Sequence, residues 1–194
     1  MKQSLIALVM ALGVAAGAVA ENVKLPEPVK TGGMPLMEAL AKRATSRRTA
    51  GEAPTPQQLS NLLWAANGVT RPDGKRTAPS AMDKREIEIA VLTKDGLFTW
   101  DPEANELIET PACVELDDQL RGASALLVYH YDKAMQARDA ALADCGFVGQ
   151  NVYLFCASEG WKTVFLGTVD RAKFAVALGR GEDEILFAQR IGVK

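Results

Sequence analysis

The run CGFVGQNVYLFCASEGWKTVFLG, residues 145–167, places helix-type and strand-type sequence back to back. Its part FVGQNVYLFCA (147–157) is apolar nearly all round, interrupted mainly by Gln150 and Asn151, and predicts the buried half of a helix over 133–159. Those two amides, set in so apolar a helix, are expected to find buried hydrogen-bond partners. After Gly160 the chain turns to strand-type sequence, with Trp161 and Phe165 as core residues.

Working outward, DRAKFAVAL (170–178) reads as an amphipathic helix stopped by Gly179 and Gly181, and EILFAQRIG (184–192) as a final strand. Upstream, ASALLVYHY (123–131) has the near-continuous apolar character of a buried strand. IEIAVLT (87–93), the turn Lys94-Asp95-Gly96 and LFTWD (97–101) form a hairpin, with LIET (107–110) as an edge segment. Two helices precede these strands. One starts at Pro35 and ends near Thr45; the other has Thr55 as N-cap, Pro56 at its first position, Gln58 at its third, and Leu59, Leu62, Leu63 and Ala66 on one face. Residues 21–34, with two prolines and two glycines, read as an extended arm or linker. Helices and strands mix without regular βαβ alternation, so the class is α+β: a mostly antiparallel sheet flanked by helices.

The N-terminus sets the compartment. Lys2, an uncharged run from Ser4 to Ala20 and the small-x-small ending Ala18-Val19-Ala20 fit a secretory signal peptide over residues 1–20, with a periplasmic or secreted product and no stable membrane insertion after cleavage. Its removal leaves 174 residues, enough for one domain over 35–194 behind the arm. The remainder carries 21 Lys and Arg against 24 Asp and Glu, and no basic run longer than a pair, which argues against nucleic acid as a partner. Cys113, Cys145 and Cys156 are odd in number and lack a CxxC pair, so disulfides do not organise the chain; Cys145 and Cys156 read as small buried hydrophobes. His130 is the one histidine and reads as a strand residue. Neither a zinc cluster nor a nucleophile–histidine dyad can be assembled with it.

Four segments, KRATSRR (42–48), LLWAANGVTRPDGKRTAPSAMDKREIEIAV (62–91), the opening run and EILFAQRIG, together resemble the nitroreductase family of FMN-dependent oxidoreductases, especially its short members. The resemblance implies an FMN phosphate held by a basic-x-Ser-x-basic motif, here Arg43, Thr45 and Arg47, with Ala44 where a basic residue is frequent. It implies a flavin lined by the loop RTAPSAMD (76–83) through Pro79, Ser80 and Ala81. Asp83 stands where the family has asparagine, with Arg85 or Arg76 to pair with it and face the ring edge. A carboxylate there would oppose reduction unless paired or protonated. The family also places a backbone N–H at flavin N5, here from Leu166 or Gly167. Longer members supply basic phosphate ligands from a C-terminal extension, for which Arg190 and, after it, Lys194 are the candidate substitutes here. No protein acid, base or nucleophile is required, because flavin carries the chemistry.

The implied activity is ping-pong transfer from a small-molecule electron donor to a nitroaromatic, quinone or similar small acceptor, in a homodimer whose core is the 133–159 helix. The sequence leaves the donor open among NAD(P)H, a quinol, a redox protein and the substrate itself. Two further readings are an exported flavin-dependent dehydrogenase or oxidase that does not use NAD(P)H, and a non-catalytic flavin-binding module.

Overall fold

A computed structural model describes residues 22–111 and 113–194. Residues 1–20, read above as a signal peptide, lie outside the described residues. Seven strands form one antiparallel sheet: β1 (Val23–Lys24), β2 (Ile87–Thr93), β3 (Gly96–Asp101), β4 (Glu106–Glu109), β5 (Ala125–Tyr131), β6 (Lys162–Leu166) and β7 (Ile185–Gly192), in the order β1-β4-β3-β2-β5-β7-β6. Five helices accompany them: α1 (Leu36–Lys42), α2 (Pro56–Asn67), α3 (Asp117–Leu120), α4 (Arg138–Glu159) and α5 (Arg171–Leu178). The class is α+β, as the mixed sequence pattern predicts.

The near-continuous apolar strands follow from a sheet covered on both faces. Successive strand residues point to opposite sides. In β2, Ile89 and Val91 join Leu62 and Leu63 of α2 and Val148 and Val152 of α4 on one side. Ala90 and Leu92 meet Phe174 of α5 and Leu120 of α3 on the other.

Several boundaries differ from the sequence reading. α4 starts at Arg138 rather than 133, because Asp132 turns the chain by accepting the Ala134 N–H on its side chain and the Met135 N–H on its carbonyl. α1 ends at Lys42, with Pro35 as its N-cap; beyond it Ser46 donates its N–H to Thr163 of β6. The LIET segment is internal, because β1 pairs outside it through Val23 and Leu107. Asn105 and Ser60 hold the arm by donating to the Pro26 carbonyl, and Ser158 Oγ accepts the Met34 N–H. Sequence gave no warning of these long-range bonds.

α4 buries one stripe, Ala141, Cys145, Val148, Val152 and Cys156, at helical spacing against the sheet. Its opposite face is open: Phe147 is 48% exposed. Gln150 is exposed there too, contrary to expectation, whereas Asn151 donates to the Ala66 carbonyl at 3.1 Å. Leu36, Met37 and Leu40 of the neighbouring α1 are exposed as well.

Candidate functional site

The segment after α1 is organised by Tyr153 of α4. Phe165 donates its N–H to the Tyr153 hydroxyl at 3.0 Å, and the same hydroxyl shares a hydrogen bond of 2.9 Å with Thr45 Oγ1. Arg43 lies over the same ring, 5.4 Å from its centroid, a favourable cation–π distance. One side chain thus fixes both Thr45 and Arg43. Its position inside QNVYLF was the only sequence signal for it.

Beside this segment a cavity of about 930 Å³ opens between β6, β7 and α5. Arg47, Arg121 and Arg190 line it, together with Leu166 and Gly167. Asp118, also on its wall, is paired to Lys173 at 3.0 Å, and Asp170 caps α5 by accepting the Lys173 N–H. Both wall acids are therefore engaged elsewhere. Burial, then the charge of Arg121, draw Arg190 below the usual arginine value, and its Nε and one terminal nitrogen donate to the Gln119 carbonyl at 3.3 Å. Such a wall favours an anion, phosphate above all.

On the edge strand β6, Thr163 and Phe165 turn their backbone polar groups outward, to Ser46 and to Tyr153. The alternation makes Gly167 the next residue of that series. Its N–H has no acceptor among the described residues, which favours Gly167 over Leu166 as the backbone donor. Lys194 is exposed at the end of the chain and lines neither this cavity nor the next; Arg190 occupies the wall instead.

The loop RTAPSAMD forms a second cavity, of about 330 Å³, lined by Arg71, Lys75, Arg76, Pro79, Ser80, Asp83 and Arg85. Arg85 clamps Asp83 with two hydrogen bonds, of 2.9 and 2.6 Å, and also holds the Asp73 carbonyl at 3.0 Å. That bond to Arg85 lowers the Asp83 carboxyl from its ordinary value and keeps it ionised. Arg76 turns away toward Glu103 at 3.5 Å, so Arg85 is the partner of Asp83. Ser80 Oγ accepts the Arg85 N–H at 2.9 Å, and Ala81 docks on Asp144 of α4.

The residues that the sequence gathers into one site thus occupy two. Along α4 the contact with Ala81, at Asp144, and the contact with Thr45, at Tyr153, are nine residues and roughly 14 Å apart. Single-chain sequence reasoning has no means of seeing this division.

The family model for the nitroreductase family matches residues 40–193. The chain belongs to the nitroreductase family. Membership places it among the oxidoreductases. The crystal structure of a protein assigned as a nitroreductase from Ralstonia eutropha JMP134 superposes with a TM-score of 0.81 at 33% identity, over 92% of each chain. The Methanocaldococcus jannaschii protein MJ1384, also assigned as a nitroreductase, is 28% identical over an alignment of 159 residues that covers 68% of this chain and 78% of its own. A Desulfovibrio desulfuricans relative solved in complex with FMN shares the fold, with a TM-score of 0.58 at 20% identity, over 83% of this chain and 87% of that chain.

Proposed function

We propose that this member of the nitroreductase family is an FMN-dependent oxidoreductase that passes electrons from a small-molecule donor to a nitroaromatic, quinone or similar acceptor. The observation that carries the reading is the cavity wall of Arg47, Arg121 and Arg190 beside an unengaged Gly167 N–H. A phosphate demands guanidinium groups, and a flat ring with hydrogen-bonding edges suits a backbone donor at an edge strand. The residues fit FMN. Arg43, Thr45, Arg47 and Arg190 would hold the phosphate end, and Gly167 would address the ring. FMN, when bound, takes a hydride from the donor and yields its electrons to the acceptor in a second half-reaction.

The two half-sites fit a homodimer. An isologous pairing of α4 with its copy about a two-fold axis perpendicular to the helix runs the helices antiparallel and sets the residue 144 end of one against the residue 153 end of the other. One protomer's Pro79, Ser80 and Asp83 would then face its partner's larger cavity. Exposed Phe147, Leu36, Met37 and Leu40 supply the apolar surface for that contact. We place the mature protein in the periplasm or outside the cell on the strength of residues 1–20, which leaves a quinol or redox protein as a donor beside NAD(P)H.

Titration of the purified protein with FMN, followed by stopped-flow reduction with NADH, NADPH and a quinol analogue, tests the reading. Saturable binding and reduction by one donor are expected. A protein that stays colourless with FMN overturns it in favour of a non-flavin role. Reduction by the quinol alone assigns the exported dehydrogenase form. A monomeric mass by sedimentation with flavin bound overturns the dimer.

A further inference from the structure

Beneath the 79–85 loop lie two acids that the site described above does not use. Glu86, immediately before β2, is 1% exposed, and no hydrogen-bond donor from another residue reaches either carboxyl oxygen. Its polar neighbour is a second carboxyl, that of Asp144 on α4, which is 3% exposed. Two ionised carboxylates in contact inside a protein repel, and Glu86 lacks the donors a buried charge requires. A single proton between them removes the conflict: Glu86 donates to Asp144, and Asp144 still has lone pairs to offer elsewhere.

Asp144 uses them on the loop. Its Oδ2 accepts the Ala81 N–H at 2.7 Å, and Gln136 Nε2 donates to the Ala81 carbonyl at 3.1 Å. Both backbone polar groups of Ala81 are therefore gripped. The residues that follow need the grip, because Met82, Asp83 and Arg85 have φ of 55°, 54° and 55°, the left-handed region that is costly for residues with a side chain. Met82 is 87% exposed, so packing does not hold it there. Strained backbone that persists is held by its surroundings, and such segments concentrate at functional sites.

We propose that Glu86 and Asp144 are a positioning pair: the proton they share removes the repulsion between the two carboxyls, keeps Asp144 seated under the Ala81 N–H, and so fixes the loop that presents Ser80 and Asp83. The effect on the loop stands by itself, whereas the consequence for flavin rests on the function proposed above.

Burial first, then the contact with Asp144, hold Glu86 above the usual glutamate range. The other groups around it do not offset this. On α4 the Cys145 thiol is itself pushed up, by burial and then by Glu86. On the loop Asp83 and Arg85 neutralise each other, and Lys84 is exposed. Asn67 of α2 donates to the Ile87 carbonyl, and Tyr131 of β5 stands across from Ile87. A carboxyl raised by folding contributes stability that is complete at acid pH and is lost as pH rises through its folded value. Loss of the proton sets two carboxylates against each other and loosens the loop.

Hydrogen exchange of the 79–85 segment tests this in the full chain, over a series of rising pH and after correction for intrinsic exchange. Wild-type protection should fall about tenfold or more toward alkaline pH, the factor that a lost hydrogen bond to a charged group implies. Glu86→Gln carries a permanent donor and should stay protected throughout. Asp144→Ala, with no acceptor, should be about tenfold less protected even at acid pH, and Asp144→Asn, which can accept from Ala81 and donate to Glu86, should restore protection without the pH dependence. The same pH profile in wild type and Glu86→Gln, or full protection in Asp144→Ala, overturns the pair. FMN titrations on the same samples should follow the wild-type profile. FMN affinity indifferent to pH while the loop loosens overturns the link to the site. A pH-responsive loop with no FMN binding in any sample overturns the proposed function and leaves the pair standing.

Discussion

The hydroxyl of Tyr153 accepts the backbone N–H of Phe165 at 3.0 Å, tying the middle of α4 to the edge strand β6. The same oxygen sits 2.9 Å from Thr45 Oγ1, so one phenol sets the spacing between the cavity wall and the segment after α1. Tyr153→Phe keeps the ring beneath Arg43 and removes both bonds. Each such bond is worth about 1 kcal/mol net, so a loss of about 1–2 kcal/mol in urea denaturation and weaker FMN binding are expected. Unchanged affinity would detach Thr45 from the phosphate end.

Arg47→Ala and Arg190→Ala should each weaken FMN binding by about 1.5–3 kcal/mol, the value of a charge-assisted hydrogen bond. Arg43→Ala should act in the same direction. Lys194→Ala should leave affinity where it is, because Lys194 lies outside the cavity. Isothermal titration of the four variants separates a phosphate site from a merely basic surface.

Asp83→Asn should raise the flavin potential. The substitution removes the carboxylate that Arg85 neutralises and leaves the guanidinium beside the half-site, where positive charge favours the reduced, more anionic state. The sign is the test: a redox titration with no upward shift separates Asp83 from the flavin.

His130 gives the protein an acid limb. Burial, then the charge of Arg180, lower it from 6.5 to about 4, and neither ring nitrogen has a hydrogen-bond partner. The unfolded chain takes up a proton near 6.5 that the folded chain refuses until about 4, so stability falls as pH drops through that window, by about 3 kcal/mol at most. Glu86 slopes the opposite way. The contribution of His130 is therefore read as the difference between wild type and His130→Phe in denaturation midpoints at each pH, and this difference should change between about pH 6.5 and pH 4 and level off below about pH 4.

Gly149 is where α4 crosses Phe165. A Cβ there would stand 2.5 Å from the Phe165 ring, which is stacked on Tyr129 and packed against Phe187 and cannot retreat. Gly149→Ala should destabilise by about 1–3 kcal/mol despite the better helix propensity of alanine. Calorimetry showing a stabilised variant would contradict the tight crossing.

The fold was legible in the chain because its signals are local. The capping box at Thr55 and Gln58, the stripe Leu59, Leu62, Leu63 and Ala66, and the apolar runs of β2, β5 and β7 each specify an element within a few residues. Motif residues such as Arg47, Ser80 and Gly167 were legible for the same reason, as types at fixed spacing. What only the tertiary structure decided depends on contacts distant in sequence. Arg121 joins the cavity from the end of α3 and Arg190 from β7. Tyr153 meets Thr45 across 108 residues, Asp144 meets Ala81 across 63, and nothing in the local pattern around Glu86 announces that its neighbour is another acid. The division of the site in two has the same origin: a sequence orders residues along one chain, whereas the roughly 14 Å between the half-sites is set by the rise of α4 and by what packs at each end of it.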